Sequence, residues 1–158
     1  MAHGEHKYPV CVQWTGNRGT GTSGYRDYGR DHVIRAGSKP EIPGSSDPAF
    51  LGDATRWNPE DLLVAAASAC HKLWYLHLCA DAGIAVLEYV DHAEGTMLDR
   101  GQPGHFSQIV LRPHVTVRAG DDRELAMRLH HAAHEQCYIA NSVNFPILCE
   151  PTVETLHA

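Results

Sequence analysis

The sequence has no arginine-rich segment, no CxxC pair, no tandem repeat and no low-complexity stretch. Without a basic stripe, and with 13 Lys and Arg set against 19 Asp and Glu for a formal charge of −6, nothing offers a phosphate backbone a track to follow. Nucleic acid is therefore not expected as a partner. The first residues, Met1-Ala2-His3-Gly4-Glu5-His6-Lys7, lack the apolar core of a signal peptide, and no uninterrupted apolar run reaches the roughly 18 residues of a membrane span. These absences predict a cytoplasmic protein with no membrane association. Five cysteines, Cys11, Cys70, Cys79, Cys137 and Cys149, are an odd number in a reducing compartment and do not read as a disulfide framework.

What is present suits one folded domain over 1–158. The chain is 43% hydrophobic and 20% charged, enough apolar material for a core. Tyr8 to Trp14 alternates, with Val10, Val12 and Trp14 on one side, as in a half-buried strand. Extended stretches near Thr20–Tyr28 and His32–Arg35 complete an expected N-terminal antiparallel meander, and the Gly-, Pro-, Ser- and Asp-rich residues 37 to 57 predict a long loop. Asn58 is a good N-cap, Pro59 suits the first helical position, and Glu60 and Asp61 favour the positive helix start. The helix that follows runs to Gly83 and is apolar on most sides, which predicts burial. Ala85–Asp91 and Phe106–Val117 predict a second meander, Asp121–Tyr138 a second helix, and Leu148–Thr155 a last strand. The pattern is α+β: two antiparallel β-meanders around a long buried central helix, plus a second helix.

Cys70 lies about three turns into the apolar helix, and Glu60 precedes it by ten residues, or about 15 Å along a straight helix, too far for contact. Cooperation between them needs a bridge, and an arginine fork can hold a carboxylate on one side while stabilising a thiolate on the other. A small hydrophobe in a helix contact is the ordinary fate of such a cysteine. Cys137 sits at the end of the second helix and admits the same plain reading.

Taken together, Asn58-Pro59-Glu60-Asp61-Leu62-Leu63 with Ala66, Ser68, Ala69 and Cys70 resembles the first motif of the OsmC/Ohr family, and Cys137 with Ala140-Asn141-Ser142 resembles its second. The separation of 67 positions between Cys70 and Cys137 and the Trp14-Thr15-Gly16 turn fit the same family. The resemblance implies an intertwined α+β homodimer with its active sites at the subunit interface. It implies that Cys70 is oxidised by an organic hydroperoxide to a sulfenic acid, that Cys137 condenses with it to a disulfide, and that a small dithiol or a lipoylated or other thiol protein reduces the product. Glu60 then holds a catalytic arginine over the sulfur, and no metal or organic cofactor is required. Arg26 and Arg18 are the foremost candidates for that arginine, with Arg30 behind: Arg18 lies in a turn like the family's, whereas Arg26 and Arg30 are nearer the expected distance from Glu60. His71 after Cys70, where the family often has an aromatic, and Tyr138 after Cys137, in place of proline, depart from the pattern. Trp74, Tyr75 and Phe145 are candidates to line an apolar pocket near Cys70.

Two other readings compete. His130, His134 and Cys137 fall at i, i+4 and i+7 on one helical face, a possible divalent-metal set that His71 or His77 could complete from the first helix. Alternatively the fold is kept without peroxide turnover, leaving a small-molecule-binding protein. Cys11, Cys79 and Cys149 read as structural or incidental.

Overall fold

The strongest local signal, Asn58-Pro59-Glu60-Asp61, opens a 23-residue helix, α1 (Pro59–Asp81), in a computed structural model that describes residues 4–101 and 103–157. Asn58 Oδ1 accepts the Asp61 N–H at 2.8 Å, and Pro59 takes the first position, where no N–H is needed. At the far end Gly83 adopts a φ of +75°, which only glycine takes at little cost. The Ile84 N–H then reaches the Cys79 carbonyl at 2.9 Å and the Gly83 N–H the Ala80 carbonyl at 3.1 Å, the paired bonds that close a helix.

The chain forms two compact units, Met1–Leu62 and Leu63–Ala158, divided after the first turn of α1. In the first unit β1 (Cys11–Trp14), β2 (His32–Arg35) and β3 (Ile42–Gly44) pair antiparallel in that order. The expected strand over Thr20–Tyr28 is absent: Asn17 Oδ1 accepts the N–H groups of Gly19 and Gly21 at 2.9 and 3.0 Å and curls the segment into turns. The third strand lies instead inside the stretch read as loop. Pro43 is tolerated there because β3 is the last strand of its sheet. All four residues of β1 are exposed, so its alternating face is not covered within the chain as expected.

In the second unit three chain segments each build two strands. β4 (Val86–Asp91) runs into β5 (Glu94–Leu98), β6 (His105–Leu111) into β7 (Pro113–Val117), and β8 (Ile147–Cys149) into β9 (Thr152–Thr155). The result is two three-stranded sheets, β4-β7-β9 and β5-β6-β8, joined at a sharp bend. β4–β7 is antiparallel as expected, and β5, where no strand was expected, pairs antiparallel with β6; β8 and β9 add to β6 and β7 in parallel, so this half is mixed rather than a meander. The crossover between β7 and β8 carries α2 (Arg123–Gln136), whose N-cap Asp122 accepts the Leu125 N–H at 3.0 Å. At the bend both oxygens of Asp91 are occupied at 2.6 Å, one by the Arg112 backbone N–H and the other by the Ser68 hydroxyl of α1.

α1 is not buried all round. Ala67, His71, Tyr75 and Cys79, four residues apart, form one buried stripe, while Leu73 is 62% exposed. A unit with two helices and one bent sheet covers only one side of a helix. By mean hydropathy (1.2) α1 meets the length and composition of a membrane span, although polar residues interrupt its apolar run. Its buried stripe nonetheless packs like that of a core helix. Tyr75 stacks on His130 of α2 at 3.8 Å between ring centroids and donates its hydroxyl to the Ala126 carbonyl at 3.0 Å. Val115, Val117 and Val153 complete this core, and Ala67, Ile109, Leu111 and Ile147 form a second one.

Because Tyr75 joins α1 to α2 by stacking and by a buried hydrogen bond, Tyr75→Leu should lower the unfolding free energy by about 2–4 kcal/mol. Urea unfolding measures this, and a loss below about 0.5 kcal/mol would show that the two helices do not depend on it.

Candidate active site

Cys70 and Cys137 come together in the fold. Cys70 is half-buried midway along α1, and Cys137, 2% exposed, is the C-cap that follows α2. Both thiols are free, and Cys70 lies close enough to Cys137 to act on its thiol. Cys137 lies one residue beyond α2, with φ −64° and ψ 114°, so the side chain leaves the helical spiral. The second motif explains this local shape. Asn141 Nδ2 donates to the Glu135 carbonyl at 3.0 Å and the Ser142 hydroxyl to the Tyr138 carbonyl at 2.6 Å, satisfying groups that the helix end leaves unpaired. The turn they lock points the Ala140 N–H at the Cys137 sulfur, 3.4 Å away. Burial pushes the Cys137 thiol up to about 11 and the contact with Cys70 adds to this, while the N–H groups of Ala140 and Ile139 act in the opposite sense. Cys137 is thus a protonated thiol near neutral pH, in contact with a more accessible one.

The aromatic residues divide. Trp74, one turn after Cys70, meets Tyr138, next to Cys137, edge to face at 5.5 Å. Tyr75 and Phe145, expected at the same pocket, belong to the cores instead: Tyr75 turns to α2, and Phe145 stacks on Phe106 at 5.5 Å. Glu60 lies in the first turn of α1, half-buried. Of the three candidate arginines, Arg30 is tied up locally. Its guanidinium lies 3.9 Å over the Tyr28 ring and donates to the carbonyls of Tyr28 and Tyr25 at 2.6 Å. Arg18 makes one long bond, 3.4 Å to the Arg26 carbonyl, and lines a cleft with Arg30, Asp31 and Asp53; Arg26 is exposed.

The histidines assemble differently from the spacing argument. His130, His134 and Cys137 do not form a set, because Cys137 leaves α2 to meet Cys70. His77 pairs with Asp81 at 3.3 Å on the surface. His130 turns inward, and its Nδ1 meets His71 Nε2 at 3.0 Å; Cys149 Sγ, at the end of β8, lies 3.8 Å from the same nitrogen. His71 and His130 are 1% and 2% exposed, and His130 Nε2 has no partner among the described residues. A buried polar atom left unpaired costs about 1–3 kcal/mol. Burial lowers His71 to about 4, against the charge of Asp91, and lowers His130 to about 3, helped by His71. Both rings are neutral at physiological pH. Cys149, read as incidental, was missed because only tertiary structure brings the end of β8 to the two helices.

A sequence profile of the OsmC-like protein family matches residues 52–151. Among solved structures, an OsmC-like protein of unknown function from Vibrio cholerae is 28% identical, with a TM-score of 0.84, and the match covers 93% of this chain and 99% of that one. A protein described as an organic hydroperoxide resistance protein OsmC from Legionella pneumophila is 18% identical, with a TM-score of 0.65 over 95% of this chain and 99% of that one. The organic hydroperoxide resistance protein OhrB of Bacillus subtilis is 19% identical, with a TM-score of 0.61 over 94% and 98%. The two latter likenesses bear on the fold. No protein of curated function matches the sequence.

The buried imidazole pair makes stability depend on acid. Both folded-state values lie below the ordinary 6.5, so the unfolded chain takes up these protons first. Their contribution is complete above about pH 6.5 and is lost as pH falls toward 4 and 3. Between pH 7 and pH 5 the loss should approach about 2 kcal/mol per ring. Urea midpoints measured across that range check this, with His130→Gln expected to flatten the curve. An equally steep curve in that variant would place the acid sensitivity elsewhere.

Proposed function

Because the chain belongs to the OsmC-like protein family, we propose that it is a cysteine-based thiol peroxidase that reduces organic hydroperoxides, with Cys70 as the attacking residue and Cys137 as the resolving one. The observation that carries this reading is the contact between two free thiols 67 positions apart in the sequence, one half-open and one buried. Solved relatives named for organic hydroperoxide resistance share the fold and lend support.

In the proposed cycle the Cys70 thiolate attacks the outer peroxide oxygen, the O–O bond breaks, and the alcohol leaves after taking a proton, which gives a Cys70 sulfenic acid. The Cys137 sulfur displaces hydroxide from that acid, giving the Cys70–Cys137 disulfide and water. An external reductant, a small dithiol or a lipoylated or other thiol protein, returns two electrons and two protons. Trp74 and Tyr138 give the approach to the thiols an aromatic rim suited to an apolar hydroperoxide. The reading needs a cation near Cys70 to stabilise the thiolate and the departing alkoxide, and an arginine held by Glu60 fills that role. Arg26, then Arg18, rank ahead of Arg30, whose fork is already occupied by Tyr25 and Tyr28. The cycle uses no metal and no organic cofactor and suits a cytoplasmic setting. An intertwined homodimer is part of the same proposal, and the open sides of α1 and β1 are surfaces a second copy would cover.

One equivalent of cumene hydroperoxide should remove two hydrogens from the intact mass of the reduced, metal-free protein, and peptide mapping should place a Cys70–Cys137 bridge. Cys70→Ser should abolish turnover, and Cys137→Ser should allow one oxidation and then accumulate overoxidised Cys70. Normal turnover in Cys70→Ser, or an unchanged mass under conditions that oxidise a control peroxidase, would overturn the proposal. Among Arg26→Ala, Arg18→Ala and Arg30→Ala, one should lower kcat/KM by about a hundredfold or more.

The resolving step should also show the protonated state of Cys137. Well below a value of about 11, each pH unit raises the thiolate fraction about tenfold. Sulfenic acid lifetime, followed by dimedone trapping, should shorten steeply from pH 7 to pH 9. A lifetime independent of pH would mean that Cys137 is not the attacking thiol in that step.

A further inference from the structure

We propose that His71, His130 and Cys149 form a binding site for a divalent transition-metal ion of the zinc type, at the bend of the sheet in the C-terminal unit. Donor atoms of the three residues all lie within 4.8 Å of one another. Zinc with nitrogen at about 2.05 Å and sulfur at about 2.3 Å in a tetrahedron sets nitrogens about 3.3 Å apart and nitrogen and sulfur about 3.6 Å apart. The separations here are 3.0 Å between the imidazole nitrogens and 3.8 Å between His71 and Cys149. These separations are within about half an ångström of what the ion requires.

The surroundings favour this occupant. The rings are neutral, so each offers a lone pair, and two imidazoles with one thiolate are donors of the borderline-soft kind that zinc prefers. The Asp91 carboxylate, bonded to Ser68 and to the Arg112 backbone, acts on both His71 and Cys149. A cleft of about 340 Å³ lined by His130, His134, Cys149 and Met127 opens on the site. It gives an ion a way in and leaves a fourth position for water or for His134. Uptake is a balanced exchange: Cys149 releases its proton to solvent and binds as thiolate, and the hydrogen shared by the two rings moves to the far nitrogen of its own ring. One proton leaves per ion. The proposal does not rest on the peroxidase reading.

The test is a cobalt(II) titration of the reduced, metal-free full-length chain, with zinc then added to displace the cobalt. The expected result is one cobalt per chain, tetrahedral visible bands, a thiolate-to-cobalt charge-transfer band, and one proton released per ion. Cys149→Ser should abolish the charge-transfer band, and His130→Gln should weaken binding at least about tenfold. His105→Ala, exposed at the start of β6, should bind like the unmodified chain. The Cys70→Ser/Cys137→Ser double variant should keep every band, which separates this site from the thiol pair. A zinc-induced rise in Tm that is lost in Cys149→Ser gives a second readout from a variant that barely changes the packing. The proposal is overturned if no cobalt binds, or if the bands survive in Cys149→Ser and vanish in the double variant.

Discussion

The C-terminal unit is organised around one carboxylate. Asp91 ends β4 where the sheet bends, and its two oxygens tie that point to the backbone of the adjoining segment at Arg112 and to Ser68 on α1. Carboxylate acceptors make hydrogen bonds stronger than neutral ones, and here a single residue fixes both the fold of the sheet and the seating of the helix. Ser68 lies two residues before Cys70 and three before His71. The bond that places the helix on the sheet therefore also sets the height of the thiol pair and of the imidazole cluster.

The two motifs of the sequence act through opposite kinds of helix end. Asn58 and Pro59 start α1 cleanly, so that Cys70 arrives in regular helix with a fixed direction. Asn141 and Ser142 instead finish α2 abruptly, and Cys137 takes its position from the break. A cysteine kept in the spiral of α2 would follow His130 and His134 around the helix. Leaving it one residue early turns the sulfur toward α1.

What the sequence made legible follows from how local each signal is. The start and stop of α1, the existence of α2 and the antiparallel pairs β1–β2 and β4–β7 rest on neighbouring residues, and reading them needed no tertiary information. Residues 20 to 28 were misread because extended-looking residues there are governed by the Asn17 side chain. β3 was missed because Pro43 and Gly44 look like loop until β2 offers a partner. The parallel joining of β8 and β9 carries no local mark at all. For the same reason the cysteine pair was legible through its motifs, whereas Cys149 beside His71, 78 positions away, was not. The helical spacing of His130, His134 and Cys137 misled because it assumed that α2 continued through Cys137.

The parallel strands have a consequence for the order in which the molecule is made. β6 and β7 each keep one edge unpaired until Ile147–Thr155, which follow α2 in the chain, have been synthesised. A ribosome making this protein therefore carries for a time a polypeptide whose two central strands still show open hydrogen-bonding edges, while α1 and the antiparallel pairs can already have formed. Closure of both sheets waits for the segment after α2, and Cys149 reaches His71 and His130 only at that moment. Chains that stop before Ile147 would expose the template for strand addition that the folded protein hides.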